Sequence, residues 1–433
     1  MSARDFDPHI SVEQISHAKD GDYFIKQIEI EHLRKKIQTP FKVLAGNGIN
    51  EMDVGSVPGI PSQPFFEYQK FVSSIRSWIA LYNLLNEKSS SERIQGLDSF
   101  FNIKKRTWDS SLTTVSLVFP RNPFIEFSAG SGEKRKTFFG LDENSYICLL
   151  DYIHSASKAF VLCPDVRLEK RDDITPVQYL SFIDQSMNVL MDRNSKPIFT
   201  PLHIELSKNN LEDVLSHYKT CGYSNIWINF DAKSCNRTYS SRLRTILHFI
   251  DKILKNPDVT LYFSHIKKEI LPNIQEEKAT ASDILTQFHG ADFIGTDREP
   301  WHPVQTDWND DDALRERACK HNFASTEEYL EAHALHKHRI FDPESYYYRN
   351  LNHYPQKLPI SSATLLQDNA INQFLNSALM HAEVERTKES IGETESVKKY
   401  LKTKAALQEN PDLMESIVLP QRQPDLMDFL GNL

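Results

Sequence analysis

Polar residues with chemical potential recur where short apolar runs end. Phe160-Val-Leu-Cys-Pro-Asp165 closes on an acid, Leu202-His-Ile-Glu205 carries His203 and Glu205, and Trp227-Ile-Asn-Phe-Asp231 ends in Asp231. Leu261-Tyr-Phe-Ser-His265 ends in an imidazole, and Phe293-Ile-Gly-Thr-Asp297 ends in Asp297, followed by Arg298. One acid after a strand is ordinarily a helix cap or a loop residue. Alone, Asp297 reads more readily as a loop carboxylate paired with Arg298. Five successive runs with the same habit suit a shared site with several carboxylates, one acting as nucleophile and another moving protons, as glycosidic bond chemistry requires.

Elements of alternating type must position these residues. From residue 141 the pattern is helix then strand: 143–157 and 159–163, 177–191 and 198–205, 210–218 and 225–230, 241–254 and 259–263, 282–289 and 292–295. Single helices between strands at this spacing predict right-handed βαβ units and a parallel sheet. With strands near Phe41 and Val115 that makes seven, and an eighth is not apparent. The expected fold class is α/β, a (β/α)8 TIM-type barrel whose strand ends converge on one mouth, with an appended His-rich segment and a C-terminal helical region. A doubly wound sheet is the rival, but no Gly-rich first turn supports it. Residues 65–87 place Tyr68, Phe71, Ile75, Trp78, Tyr82 and Leu85 at steps of three and four, which predicts a helix. The turn Ala129-Gly130-Ser131-Gly132 lies between two short strands, as in a hairpin. The expected organisation is an extension (1–23), the barrel (24–303), the His-rich segment (304–360) and helices (361–433), the last read as a candidate oligomer contact.

The chain has 433 residues, 40% of them apolar, and a net charge of −9. That is enough for a large core and offers no global basic field for nucleic acid, although local clusters (Lys104-Lys105-Arg106, Lys134-Arg135-Lys136, Lys170-Arg171) could contact phosphates. No run is long and apolar enough to span a membrane. Five scattered cysteines without a disulfide-like framework suit a reducing, cytoplasmic setting.

In order of features the chain resembles the tRNA-guanine transglycosylase superfamily, more the DNA-modifying branch of the DpdA type, over about residues 24–355. Phe24 to Val43 is similar to the opening hairpin of that family, and Asp109-Ser110 to the start of its Asp-Ser-Gly-Gly-Phe motif. Phe160 to Asp165 is similar to its guanine-reading strand. Ile198 to Glu205 with Asn210-Leu-Glu-Asp resembles its Val-Gln-Gly-Gly strand and the helix that follows. Gly290-Ala-Asp-Phe-Ile is similar to Gly-Val-Asp-Met-Phe, which leads to the nucleophilic Asp. The departures are specific. Ser111 and Leu112 replace the two glycines, Glu205 and Leu206 stand where Gln-Gly would, and a strict register puts Gly295 at the nucleophile position, two residues before Asp297. The Cys-x-Cys-x-x-Cys zinc triad is absent.

The resemblance implies exchange of guanine for a 7-deazaguanine base in nucleic acid, DNA rather than tRNA, through a covalent Asp-glycosyl intermediate. Asp297 would be the nucleophile and Asp109 would handle protons. Asp165, with Glu205, His203 and Asp231, would line the substrate site. No organic cofactor is expected; a structural zinc would use Cys319, His321, His336 and His338, which equally read as surface residues of a charged helix. The expected partners are nucleic acid, the 7-deazaguanine base, and a second copy or partner subunit, with no membrane. The alternatives are a tRNA-guanine transglycosylase, a hydrolytic barrel, and a non-catalytic barrel serving as a partner subunit.

Overall fold

In the computed structural model, residues 10–19, 23–61, 63–72, 74–87, 89–104, 111–129, 136–168, 175–193, 195–255, 258–270, 274–298, 311–394 and 396–418 are described. The fold is mixed α/β around parallel strands. Six of them, in the order Val161–Leu162, Ile198–His203, Asn225–Asn229, Thr260–Ser264, Phe293–Ile294 and Phe41–Lys42, form a curled sheet. A second parallel sheet has the order Asp165–Val166, Leu112–Phe119, Phe65–Phe71 and Leu44–Ala45.

The stretch Phe65–Phe71 corrects the helical expectation for residues 65–87. It is a seven-residue strand in register with both neighbours, and the helix starts only at Ile75. The steps of three and four ran across a strand and a separate helix, so the periodicity was a coincidence of spacing. Alternation is the pattern that counts here. Phe65 lies among the rings between the strands, whereas Phe66 and Tyr68 join the layer beneath the helices. This strand is the one missing from the count of seven.

The helices that follow are built as their sequences suggest. Asp142, Ser207 and Asn236 accept from Ser145, Asn210 and Tyr239 amides, closing the first turns of Glu143–Ala156, Lys208–Cys221 and Arg237–Leu254. In Arg237–Leu254 the buried residues Leu243, Ile246, Leu247, Ile250 and Leu254 recur every three or four positions, giving one apolar face for the sheet. The strands Phe127–Ala129 and Lys136–Phe138 pair antiparallel, as a hairpin should.

At the N-terminal ends of the parallel strands, the antiparallel strands Ile10–His17, Phe24–Ile30 and Lys35–Gln38 lie across the opening, and Ile10, Ile28, Ile30 and Ile37 pack into its aromatic core. A four-stranded antiparallel sheet (Glu269–Ile270, Lys278–Ala281, Tyr347–Arg349, Ile340–Asp342) interrupts the helix–strand rhythm. The long helix Asn369–Thr394 lies along strand residues 41–45. Ser377 Oγ accepts from the Ala45 amide at 3.1 Å, His381 Nδ1 donates to Lys42 O at 3.2 Å, and Lys388 Nζ donates to Gln38 O at 3.1 Å. Glu383 on this helix is fully buried and binds Lys404 Nζ (2.8 Å) and Tyr400 OH (2.7 Å), which ties down the last short helices.

Candidate functional site

The strand ends bring together polar side chains from several different strands. Glu67, from the strand absent from the sequence reading, lies at the centre. Its Oε2 accepts from Tyr262 OH at 2.7 Å and from the Thr296 amide at 2.6 Å, while its Oε1 is buried without a hydrogen-bond partner, 3.5 Å from His265 Nε2. His265 is held at both ring nitrogens, with Ser116 Oγ at 3.0 Å from Nε2 and Asn229 Oδ1 at 3.0 Å from Nδ1. An amide oxygen only accepts, so Nδ1 carries the proton and Nε2 faces Ser116 and Glu67. Asn229 Nδ2 in turn donates to Asp165 Oδ2 at 2.7 Å. Asp165 Oδ1 takes Tyr179 OH at 3.0 Å and the Val166 amide at 2.8 Å.

Burial is the main influence on these groups. It pushes His265 below its ordinary range, so the imidazole is neutral at physiological pH. Burial alone would raise Glu67; donation from the Thr296 amide to Oε2 opposes that, and the carboxyl is held below its usual range. Asp165 goes the other way, raised by burial beyond what its hydrogen bonds recover. Both Asp165 oxygens are already engaged by the protein, so its evident task is to orient Asn229 and, through it, His265.

A second tier sits beside this relay. Asp231 Oδ2 accepts from Arg167 Nε at 2.9 Å and Oδ1 from Arg298 Nη1 at 2.5 Å. Arg298 lies flat on Phe71, its Cζ 3.4 Å from the ring centroid, and Phe71 meets His265 at 4.5 Å. Burial lowers Arg298 to about 10, leaving it charged. His203 Nδ1 accepts from the Glu205 amide, which leaves the proton on Nε2; that nitrogen is buried, has no hydrogen-bond partner, and lies 3.8 Å from Asp231 Oδ2. Asp231, Ala232 and His265 all have left-handed φ (42°, 60° and 59°). Strained non-glycine backbone at strand ends is a mark of functional sites, where surrounding structure enforces it.

Of the expected site residues, Asp165, His203 and Asp231 therefore meet with His265. Glu205 turns to Tyr239 OH (2.6 Å) and Lys233 Nζ (3.3 Å) instead. Asp297 is buried nearby: its charge acts on Lys42, Asp283 and Tyr348, Lys42 also feels Glu67, and the main-chain oxygen of Asp297 accepts from Gln69 Nε2 at 3.0 Å. Arg298 pairs with Asp231, whereas a loop reading would have paired it with Asp297. Gly295 explains how the register is settled in space. A Cβ there would collide with Glu67 Oε2 and lie 2.6 Å from Ser264 Cβ and Tyr262 OH. The place a side chain at 295 would take is filled by the Glu67 carboxylate.

Asp109 lies outside the described residues, as do Lys105, Arg106, Lys134, Arg135, Lys170 and Arg171. The four proposed zinc ligands do not gather. Cys319 is exposed, His321 stacks on Tyr329 (centroids 5.8 Å), and burial lowers His336 to about 3 and His338 to about 4. Among the described residues three potential metal ligands converge only at Asp184, His217 and Cys221. Glu67, Ser116, Asn229, Arg167 and Phe71 were missed by sequence reasoning. The available signal was Pro64-Phe-Phe-Glu-Tyr-Gln-Lys-Phe71, an aromatic-rich alternating run after a proline, which is strand chemistry.

No family model matches the sequence, and no curated protein matches it. Among solved structures the chain is similar to an endo-β-1,4-mannanase of glycoside hydrolase family 26 from Cellulomonas fimi, at 12% identity and a TM-score of 0.36, over 62% of this chain and 68% of that one. A double mutant of a Cellulomonas fimi endo-β-1,4-mannanase gives 10% identity, 0.36, and 61% and 66% coverage. At that distance the likeness is no guide to chemistry.

Proposed function

We propose that the two parallel sheets are one closed (β/α)8 barrel and that its polar mouth catalyses glycosyl transfer at a nucleoside, exchanging guanine for a 7-deazaguanine base in nucleic acid, DNA in preference to tRNA. Support for closure comes from pairing: residues 41–45 bond to Phe293–Ile294 on one side and Phe65–Phe71 on the other, and residues 161–166 likewise join Ile198–His203 to Leu112–Phe119. The observation that carries the chemical reading is Glu67, an ionised carboxylate with one unpartnered oxygen, seated where the nucleophile side chain of a guanine transglycosylase-like strand would be and beside a neutral imidazole.

In this reading Glu67 Oε1 attacks C1′. The C1′–N bond breaks, its electron pair leaves on the base nitrogen, which takes a proton from water, and a C1′–O ester forms. The incoming base then displaces Glu67 through its ring nitrogen, whose proton passes back to water. Arg298 and Arg167, whose two charges exceed the single charge of Asp231, suit a backbone phosphate.

The test is incubation with labelled guanine and either duplex DNA or tRNA. Incorporation into DNA that is lost in Glu67→Gln is the expected result. Exchange that survives Glu67→Gln removes this residue from the chemistry, and release of free base without exchange makes the protein a hydrolase.

A further inference from the structure

Outside the mouth, three side chains of different chemistry point at one spot on the outer helical layer. His217 and Cys221 are four residues apart on the helix Lys208–Cys221 and so share a face. Asp184 comes from the preceding helix, Pro176–Arg193. Their ligand atoms all lie within 4.8 Å of one another, with His217 Nε2 at 2.8 Å from Asp184 Oδ1 and 3.5 Å from Cys221 Sγ.

We propose that Asp184, His217 and Cys221 form a binding site for a soft divalent cation of the zinc type, clamping two neighbouring helices together. Metal–ligand bonds of about 2.0–2.3 Å in a tetrahedron put the ligand atoms roughly 3.3–3.8 Å apart. The His217–Cys221 separation already falls there. The Asp184–His217 contact needs to open by under an ångström, well within the reach of a side chain that is about one-third exposed (36% for Asp184, 31% for His217). A histidine–aspartate hydrogen bond joins two of the three groups, and the helix spacing sets the Cys221 thiol at 3.5 Å from the same imidazole nitrogen. The donor set is nitrogen, sulfur and carboxylate oxygen, which suits zinc, cobalt or cadmium and disfavours magnesium or calcium. Three protein ligands leave a fourth position for water, on the solvent side where these residues are partly exposed.

The site is independent of the mouth, so its test does not depend on any activity. The full-length protein is titrated with Co2+, following the thiolate-to-cobalt charge-transfer absorption. The expected result is saturation at one equivalent, displacement by Zn2+, and a Zn2+-dependent rise in melting temperature. Cys221→Ser abolishes the absorption, His217→Ala and Asp184→Asn each weaken binding by about tenfold or more, and Cys319→Ser changes neither. Absence of a thiolate band in the wild-type protein overturns the proposal, as does a band that survives Cys221→Ser or disappears in Cys319→Ser. Metal-free melting temperatures of the variants, equal to wild type, separate loss of a ligand from loss of fold.

Discussion

The two ends of the parallel strands are built from the same segments and have opposite character. Toward their N-terminal ends the space between the strands is filled by rings: Phe65 meets Phe160 at 5.2 Å, Phe160 meets Phe199 at 4.5 Å and Phe293 at 5.1 Å, and isoleucines of the antiparallel sheet seal the opening. A few residues further along those strands stand Glu67, Ser116, Asn229 and His265, two of them with strained or incompletely bonded groups. On the strand Phe65–Phe71, two steps separate a floor residue, Phe65, from the central carboxylate, Glu67. Packing energy is thus concentrated at one end, which lets the other hold a buried carboxylate and unpartnered polar atoms that cost stability.

Four experiments can break or sharpen that contrast. The largest effect is expected at the mouth, where Glu67→Gln reduces base exchange by roughly 10²–10⁴-fold, in the range that positioned acid–base and nucleophilic groups contribute. Steady-state exchange rates check it, with a melting temperature close to wild type showing that the loss is chemical. At the floor the outcome reverses: Phe160→Ala costs about 3–5 kcal/mol in denaturant unfolding, while the rate per folded molecule is maintained. A single variant touching both, Gly295→Ala, pushes a methyl group into Glu67, Ser264 and Tyr262. It should lower stability by about 1–3 kcal/mol and displace the carboxylate, so activity falls more than stability explains; unchanged exchange would falsify the assignment of Glu67.

The fourth experiment reads a pH dependence in the buried group around Asp283, on which the charge of Asp297 acts. Burial, then the charge of Asp297, raises Asp283 to about 8, against Lys42 and the 2.8 Å bond from Tyr348 OH. Its folded-state value is above its unfolded one, so the contribution to stability is full below the unfolded value near 4 and is lost as pH rises toward 8. Asp283→Asn should flatten that decline, which is at most about 1.4 kcal/mol per pH unit. Denaturant midpoints at pH 5 and pH 8 measure it; identical slopes in variant and wild type would rule out Asp283 as the titrating group.

Much of the helix–strand rhythm was legible because capping residues and apolar periodicity are local. The strands ending at Asp165, His203, Asp231 and His265 were found, and four of the five expected strand-end positions converge. The strand Phe65–Phe71 was not, since its seven residues continue into helix Ile75–Glu87 with a spacing that satisfies both patterns. That one misreading hid Glu67. Asn229 and Ser116 were hidden for another reason: an amide or hydroxyl within an apolar strand has no sequence signal until its partner, here His265, is known.

By itself, then, the amino-acid sequence determined the alternation of elements, the parallel arrangement and the general placement of polar groups at strand ends, because each follows from neighbours within a few residues. Only tertiary structure decided which carboxylate holds the centre. Asp297 and Glu67 are 230 residues apart, and their roles depend on which way each strand end turns. Gly295 lacks the atoms to fill its place, Glu67 fills it from across the sheet, and the charge of Asp297 acts on Lys42, Asp283 and Tyr348.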